Sequence, residues 1–148
     1  MRSNTVEIKD IKLWFEIAVP NPTDENVSVQ YGCHLEEVAE MLKASTDSCE
    51  SVIIDDLASS YKANNYHFMY PLTNLDKDQK IELLDSLCDQ IVTAVGVAHM
   101  MGMDIDGALK EVNDSNMSKF EYGKAVFNEN GKIKKGKYYR KPDLTPFV

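Results

Sequence analysis

Three histidines and three cysteines are all that the chain offers a zinc-type metal. Cys33, Cys49 and Cys88 have no metal-type spacing and no even count, which argues against a zinc site or a disulfide framework. Cys33 and Cys88 fall within apolar helical patterns and read as small core residues, so a reducing cytoplasm is the expected compartment. His34 beside Glu36 does not make an H-E-x-x-H motif, because the glutamate is displaced and the second histidine is missing. The opening residues, MRSNTVEIKD, lack an apolar stretch of the kind a secretion signal needs. The longest apolar run, Ile91 to Met103, is interrupted by His99 and is too short to span a membrane. There is no internal repeat and no low-complexity segment. A net charge of −8 argues against a general nucleic-acid binder.

What remains is an ordinary globular composition with an uneven distribution of charge. At 148 residues, 43% hydrophobic and 27% charged, the chain is expected to form one domain with a core of its own. Lys119, Lys124, Lys132, Lys134, Lys135, Lys137, Arg140 and Lys141 are eight of the 16 basic residues, and only Glu121 and Glu129 oppose them in that stretch. An acidic body with a basic tail suits a phosphate-bearing ligand, or a tail that packs on the acidic surface of another subunit.

Periodicity predicts a largely helical chain. Ile11, Trp14, Phe15 and Ala18 give a first helix over 7–19, stopped by Pro20-Asn-Pro22. Thr23-Asp-Glu25 starts a second, with Val27, Tyr31, Leu35, Val38 and Leu42 on its apolar side, and 45–50 is a polar break. A short helix over 52–63 and a loop over 64–76 follow. Residues 77–101 give the longest helix, and its second half, IVTAVGVAHMMG, is apolar nearly all round, which predicts burial at the centre of the protein. Gly102 is a C-cap and Asp104 an N-cap for a helix over 105–113 or slightly beyond. Ala125-Val-Phe127 and Lys132-Ile-Lys134 flank Asn130-Gly131, a hairpin turn signal. The expectation is an all-α bundle of four or five helices, core about 7–119, with a basic β-hairpin and extended tail over 120–148.

The chemistry sits in two acidic stripes. On a helix, residues three and four apart are neighbours. Glu37 and Glu40 therefore share one face of the second helix, with Glu36 beside them. Glu82, Asp85 and Asp89 share one face of the longest helix. Carboxylates gathered among apolar residues repel one another unless a cation neutralises them. Oxygen ligands without His or Cys suit a hard ion, Mg²⁺ with Mn²⁺ as substitute. The segment Gly102-Met-Asp104-Ile-Asp106-Gly107 is not an EF-hand loop, because Gly102 and Asn113 would occupy positions that need Asp and Glu.

Glu36-Glu37-Val-Ala-Glu40 resembles the E-E-x-x-E motif of the MazG-like all-α nucleoside triphosphate pyrophosphohydrolases. That superfamily includes phosphoribosyl-ATP pyrophosphohydrolase and dimeric dUTPases. Glu82-Leu-Leu-Asp85-Ser-Leu-Cys-Asp89-Gln-Ile-Val is similar to its second acidic helix, in the form seen in phage and bacterial members. Ser115-Asn116-Met-Ser-Lys119 and Tyr139-Arg-Lys-Pro142-Asp-Leu144 are similar to its later elements, in the same order. The likeness spans about residues 10–144. One departure is Ser86, where many members carry Glu; here the acid stands one residue earlier, at Asp85. Which of Glu82, Asp85 and Asp89 would touch metal stays open.

The resemblance implies Mg²⁺-dependent hydrolysis of an NTP or dNTP to the monophosphate and pyrophosphate. Glu37, Glu40, Asp85 and Asp89 would hold the metal, and Glu36, Glu37 or Glu82 would act on the attacking water. Asn116 and Lys119 would contact phosphates, and Lys135, Lys137, Tyr139 and Arg140 would close over the nucleotide or a neighbouring site. Asn64, Asn65, Tyr66, His67 and Phe68 are candidates to shape a base pocket. The implied assembly is a homo-dimer or homo-tetramer, with no membrane or nucleic-acid partner. The rivals are phosphoribosyl-ATP pyrophosphohydrolase activity and a non-catalytic helical module that binds a nucleotide or a partner.

Overall fold

A computed structural model describes residues 5–46, 49–129 and 133–148. They form six α-helices: α1 (Ile8–Ala18), α2 (Asp24–Thr46), α3 (Glu50–Lys62), α4 (Tyr66–Thr73), α5 (Lys77–Met100) and α6 (Ile105–Met117), followed by one 3₁₀ turn, Thr145–Phe147. The protein is all-α. The helix starts other than that of α3 have a local cause. The Glu7 amide is met by the Asp10 carboxylate at 2.8 Å. Thr23 and Asn26 cap α2 reciprocally, as Asp76 and Gln79 do α5. Asp104 accepts from the Gly107 amide at 3.1 Å to start α6. Gly102, at φ +75°, turns the chain out of α5 in the left-handed conformation that glycine adopts without strain.

Six helices form where four or five are expected, and two element assignments fail. The stretch 64–76 is not all loop, because α4 lies inside it. Asn64 ends the preceding segment at φ +54°, and Asn65 caps α4 by accepting from the His67 amide at 3.1 Å. Pro71 sits inside this eight-residue helix. The paired asparagines and the proline read as breakers in sequence, but here they are one left-handed turn, one cap and one residue near a helix end. The β-hairpin is also not formed as a pair of strands. The described residues contain only two isolated antiparallel bridges, Glu121 with Lys124 and Phe127 with Ile133. The turn residues Asn130-Gly131 and Lys132 lie outside the described residues.

The chain divides into two compact units, residues 21–84 and residues 1–20 with 85–148. In the first, α2 packs on α3 through small side chains. Ser28, Gly32 and Ala39 are buried on α2, and Ala58 is buried on α3. The Ser28 hydroxyl donates to the Tyr61 carbonyl at 2.8 Å. A Cβ on Gly32 would stand 2.6 Å from the Ala58 carbonyl oxygen, so only glycine permits this approach. Tyr31, Tyr61 and Phe68 stack in sequence, with ring centres 4.7 and 5.2 Å apart.

In the second unit, Trp14 of α1 bridges to α6. Its indole N–H donates to the Asn116 carbonyl at 2.9 Å, and its ring stacks on the buried Phe120 at 5.6 Å. The long helix departs from expectation: not one residue of α5 is buried. Its apolar side chains lie open along most of its length. No helix among the described residues is long and apolar enough to cross a membrane.

Candidate functional site

Helix α2 presents its acidic stripe away from its packed side. Glu36 stands at the edge of the α3 interface, where its carboxylate accepts from Lys62 Nζ at 2.8 Å. That bond, with the attraction of the two charges, raises the Lys62 pKa against the opposing effect of burial. Glu37 and Glu40 lie further round the helix and are exposed. Two carboxylates one turn apart on an exposed face can reach a common cation, whereas Glu36 already has a lysine partner. On α5, Glu82, Asp85 and Asp89 are all exposed. The donor chemistry of both stripes is carboxylate oxygen only, which fits Mg²⁺ or Mn²⁺ and not a soft metal. Among the described residues, no three Asp, Glu, His or Cys side chains converge as a ready-made metal site.

The candidates for a base pocket fall elsewhere. His67 and Phe68, with Tyr31, Tyr61, Leu75 and Leu83, line a cavity of about 290 Å³ within the 21–84 unit. Tyr31 and Glu40 are nine residues apart, which places them about 180° round α2 from each other. The cavity and the Glu40 carboxylate thus face opposite sides of one helix. Tyr66 packs on Tyr70 instead, with ring centres 5.2 Å apart. Asn65 serves as the α4 cap.

The basic tail is stitched onto α6. Ser115 donates to the Arg140 carbonyl at 2.8 Å, and Ser118 accepts from the Arg140 amide at 3.0 Å. The Arg140 guanidinium grips Glu111 with both of its terminal nitrogens, at 2.5 and 3.2 Å. The Asp143 amide adds a third donor to the same carboxylate at 3.1 Å. The Arg140 bonds first, and then the Asp143 amide, hold the Glu111 carboxyl below its usual range. Gly136 lies so close to the Lys119 carbonyl that a Cβ there would be 2.7 Å from it. The S-N-M-S-K and Y-x-x-P-D-L elements thereby meet in space. Sequence reasoning missed Glu111, Ser115 and Ser118 as the residues that join them. The signal available was the pair of serines three apart on one helix face.

Three lysines lie over aromatic rings on this surface. Lys119 Nζ donates to Asn116 Oδ1 at 2.8 Å and lies 5.8 Å from the Trp14 ring centre, so the structure brings Asn116 and Lys119 together. Lys137 lies 4.9 Å from the ring centres of both Tyr122 and Tyr138 and donates to the Tyr122 hydroxyl at 3.0 Å. Hydrogen bonds from Tyr138 and then Lys137 lower the Tyr122 pKa, and the reciprocal bonds raise that of Lys137. Lys135 covers the Tyr139 ring at 4.7 Å. Arg140 is committed to Glu111, so its first role here is to anchor the tail. No protein family, curated protein or solved structure matches the chain.

Proposed function

We propose that the protein is a Mg²⁺-dependent nucleotide pyrophosphohydrolase of the MazG-like type. On this reading it converts a nucleoside triphosphate to its monophosphate and pyrophosphate in the cytoplasm and works as a homo-oligomer. The observation that carries the reading is the α2 stripe. Glu37 and Glu40 stand one turn apart on an exposed face, beside Glu36, which Lys62 has already neutralised. Glu37, Glu40, Asp85 and Asp89 are the residues that would hold the metal. Bound there, a hard divalent ion supplies charge neutralisation of the triphosphate and a water of lowered pKa. On this reading Glu82, on the same helix as two of those ligands, would accept a proton from the attacking water. The Lys62 partner holds the Glu36 carboxylate in place, which suits it to positioning more than to proton transfer. Lys119, paired with Asn116, offers an ammonium and an amide to a phosphate oxygen. Lys135 and Lys137 offer further positive charge from the tail.

The test is product analysis on a panel of canonical and modified NTPs, dNTPs and phosphoribosyl-ATP, with Mg²⁺ and with EDTA. Monophosphate and pyrophosphate formed only with Mg²⁺, and lost in Glu40→Gln, are expected. The apo Glu40→Gln protein keeps the wild-type fold, since an exposed like-charged neighbour of Glu37 is removed. Orthophosphate as product would place the attack at the γ-phosphate and overturn the reading. Absence of any turnover would leave the chain as a binding module.

A further inference from the structure

The cavity of the 21–84 unit has the make-up of a small-molecule site, and the reaction proposed above makes no use of it. All of its walls belong to that one unit. Tyr31 of α2, Tyr61 of α3 and Phe68 of α4 supply aromatic faces, with successive ring centres 4.7 and 5.2 Å apart. Leu72, Leu75 and Leu83 supply aliphatic ones. At about 290 Å³ it stands at the small end of ligand sites, which run from about 300 to 1,000 Å³. That volume suits one or two fused rings and not a whole nucleotide. Among the described residues, no Asp, Glu, Lys or Arg lines the cavity. A charged group would lose its water there and find no counter-charge.

Its polar groups are few and uncommitted. Neither the Tyr31 nor the Tyr61 hydroxyl has a hydrogen-bond partner among the described residues. Burial, and then the neighbouring Tyr31, push the Tyr61 phenol up, so it stays a neutral donor at physiological pH. Gln79 spends its side-chain oxygen on the Asp76 amide at 2.9 Å, which leaves its NH₂ group to donate. Water alone would meet these donors but would wet three aromatic rings and three leucines. We infer that the cavity binds an uncharged planar heteroaromatic molecule of nucleobase size. Its faces stack on the tyrosine and phenylalanine rings, and its carbonyl or ring-nitrogen acceptors meet Tyr31, Tyr61 and Gln79. Tyr31 and Glu40 face opposite sides of α2, so this is a second site and not part of the metal site proposed above. The inference does not depend on the hydrolytic reaction.

The test is saturation-transfer NMR on the full chain in EDTA. The probes are adenine, hypoxanthine, cytosine and uracil, with toluene as a ring that has no acceptor. Transfer to at least one base is expected, with a dissociation constant on the order of 0.1 millimolar for a rigid ligand of this size. Tyr31→Phe keeps the ring and removes the hydroxyl. It should weaken that base about fivefold and leave toluene unchanged. Tyr61→Phe repeats the measurement at the other hydroxyl, and circular dichroism checks that each variant keeps its helices. Absence of transfer to every base at about 2 millimolar would overturn the inference. So would toluene binding as tightly as the best base with no response to either variant. A base 5′-monophosphate that binds more than about tenfold tighter than its base would do the same, because the cavity lines no cation for it. Added Mg²⁺ should leave the affinity unchanged, and a requirement for it would move the ligand to the acidic stripe and overturn the second site. The readout is binding of a molecule without phosphate, so its failure leaves the hydrolytic reading where it stood.

Discussion

The two long helices are nearly equal in length, 23 residues for α2 and 24 for α5, and each carries one of the acidic stripes. They differ in what lies opposite the acid. Helix α2 buries serine, glycine and alanine, residues small enough to bring α3 to within backbone contact. Helix α5 carries isoleucine, leucine and valine, and buries none of them. A helix that packs inside one chain through small residues has its register fixed by steric fit, because one methyl group too many cannot be accommodated. A helix with large branched residues on an exposed face keeps a hydrophobic drive that is not yet satisfied there. The contrast separates a face closed by steric fit from one left exposed.

The largest break in that contrast comes from Gly32. The atom nearest a new Cβ there is the Ala58 carbonyl oxygen, which belongs to the backbone and cannot swing aside. Gly32→Val should lower stability by about 3 kcal/mol, the upper end for overpacking a tight contact. Urea denaturation followed by circular dichroism reads it, and a change under 1 kcal/mol would mean that α3 shifts away at little cost. Ser28→Ala comes next. Ser28 is fully buried, and its hydroxyl satisfies the Tyr61 carbonyl. Its loss should cost about 1 kcal/mol, since the carbonyl loses this donor and keeps the Asn64 amide at 3.0 Å. The mirror experiment is Gly96→Ala on α5. No atom lies within 4 Å of a Cβ built there. That change should raise stability by roughly 0.5–1 kcal/mol through helix propensity alone. The opposite signs at Gly32 and Gly96 are the comparison in its sharpest form.

Much of this was legible in the residues. The all-α class followed from spacing, and the bounds of α1, α5 and α6 agree with the sequence to within a few residues, because their caps are local. What failed needed tertiary information. Pro71 and Asn64-Asn65 carry breaker chemistry, yet a short helix forms between them. Its Phe68 packs on Tyr61 of α3, with ring centres 5.2 Å apart. The apolar second half of α5 looks like a central buried helix in sequence, because hydrophobicity records a demand for burial and not its supplier. At the site, helical spacing placed Glu37 beside Glu40 and Asp85 beside Asp89. It said nothing of Lys62, 26 residues from Glu36, or of Glu111, which accepts from Arg140 at 29 residues' separation.

The Glu111–Arg140 anchor makes the smallest prediction, one of pH dependence. The guanidinium of Arg140, and then the Asp143 amide, lower the Glu111 pKa from its ordinary 4.5. A carboxyl with a depressed folded pKa stabilises the native state fully above its unfolded value and loses that contribution as pH falls through the folded one. The tail should therefore loosen below about pH 4.5. Trp14 is the only tryptophan and donates to α6 five residues along from Glu111, at Asn116, so its fluorescence reports on this end of the chain. Glu111→Gln keeps an acceptor for Arg140 but has no proton to gain. Acid titration of the two proteins should show a transition below pH 4.5 in the wild type that is weakened in the variant. Other carboxyls titrate in both, so the difference isolates Glu111. Superimposable curves would mean that the exposed pair is screened by solvent, and that Ser115 and Ser118 hold the tail through its backbone alone.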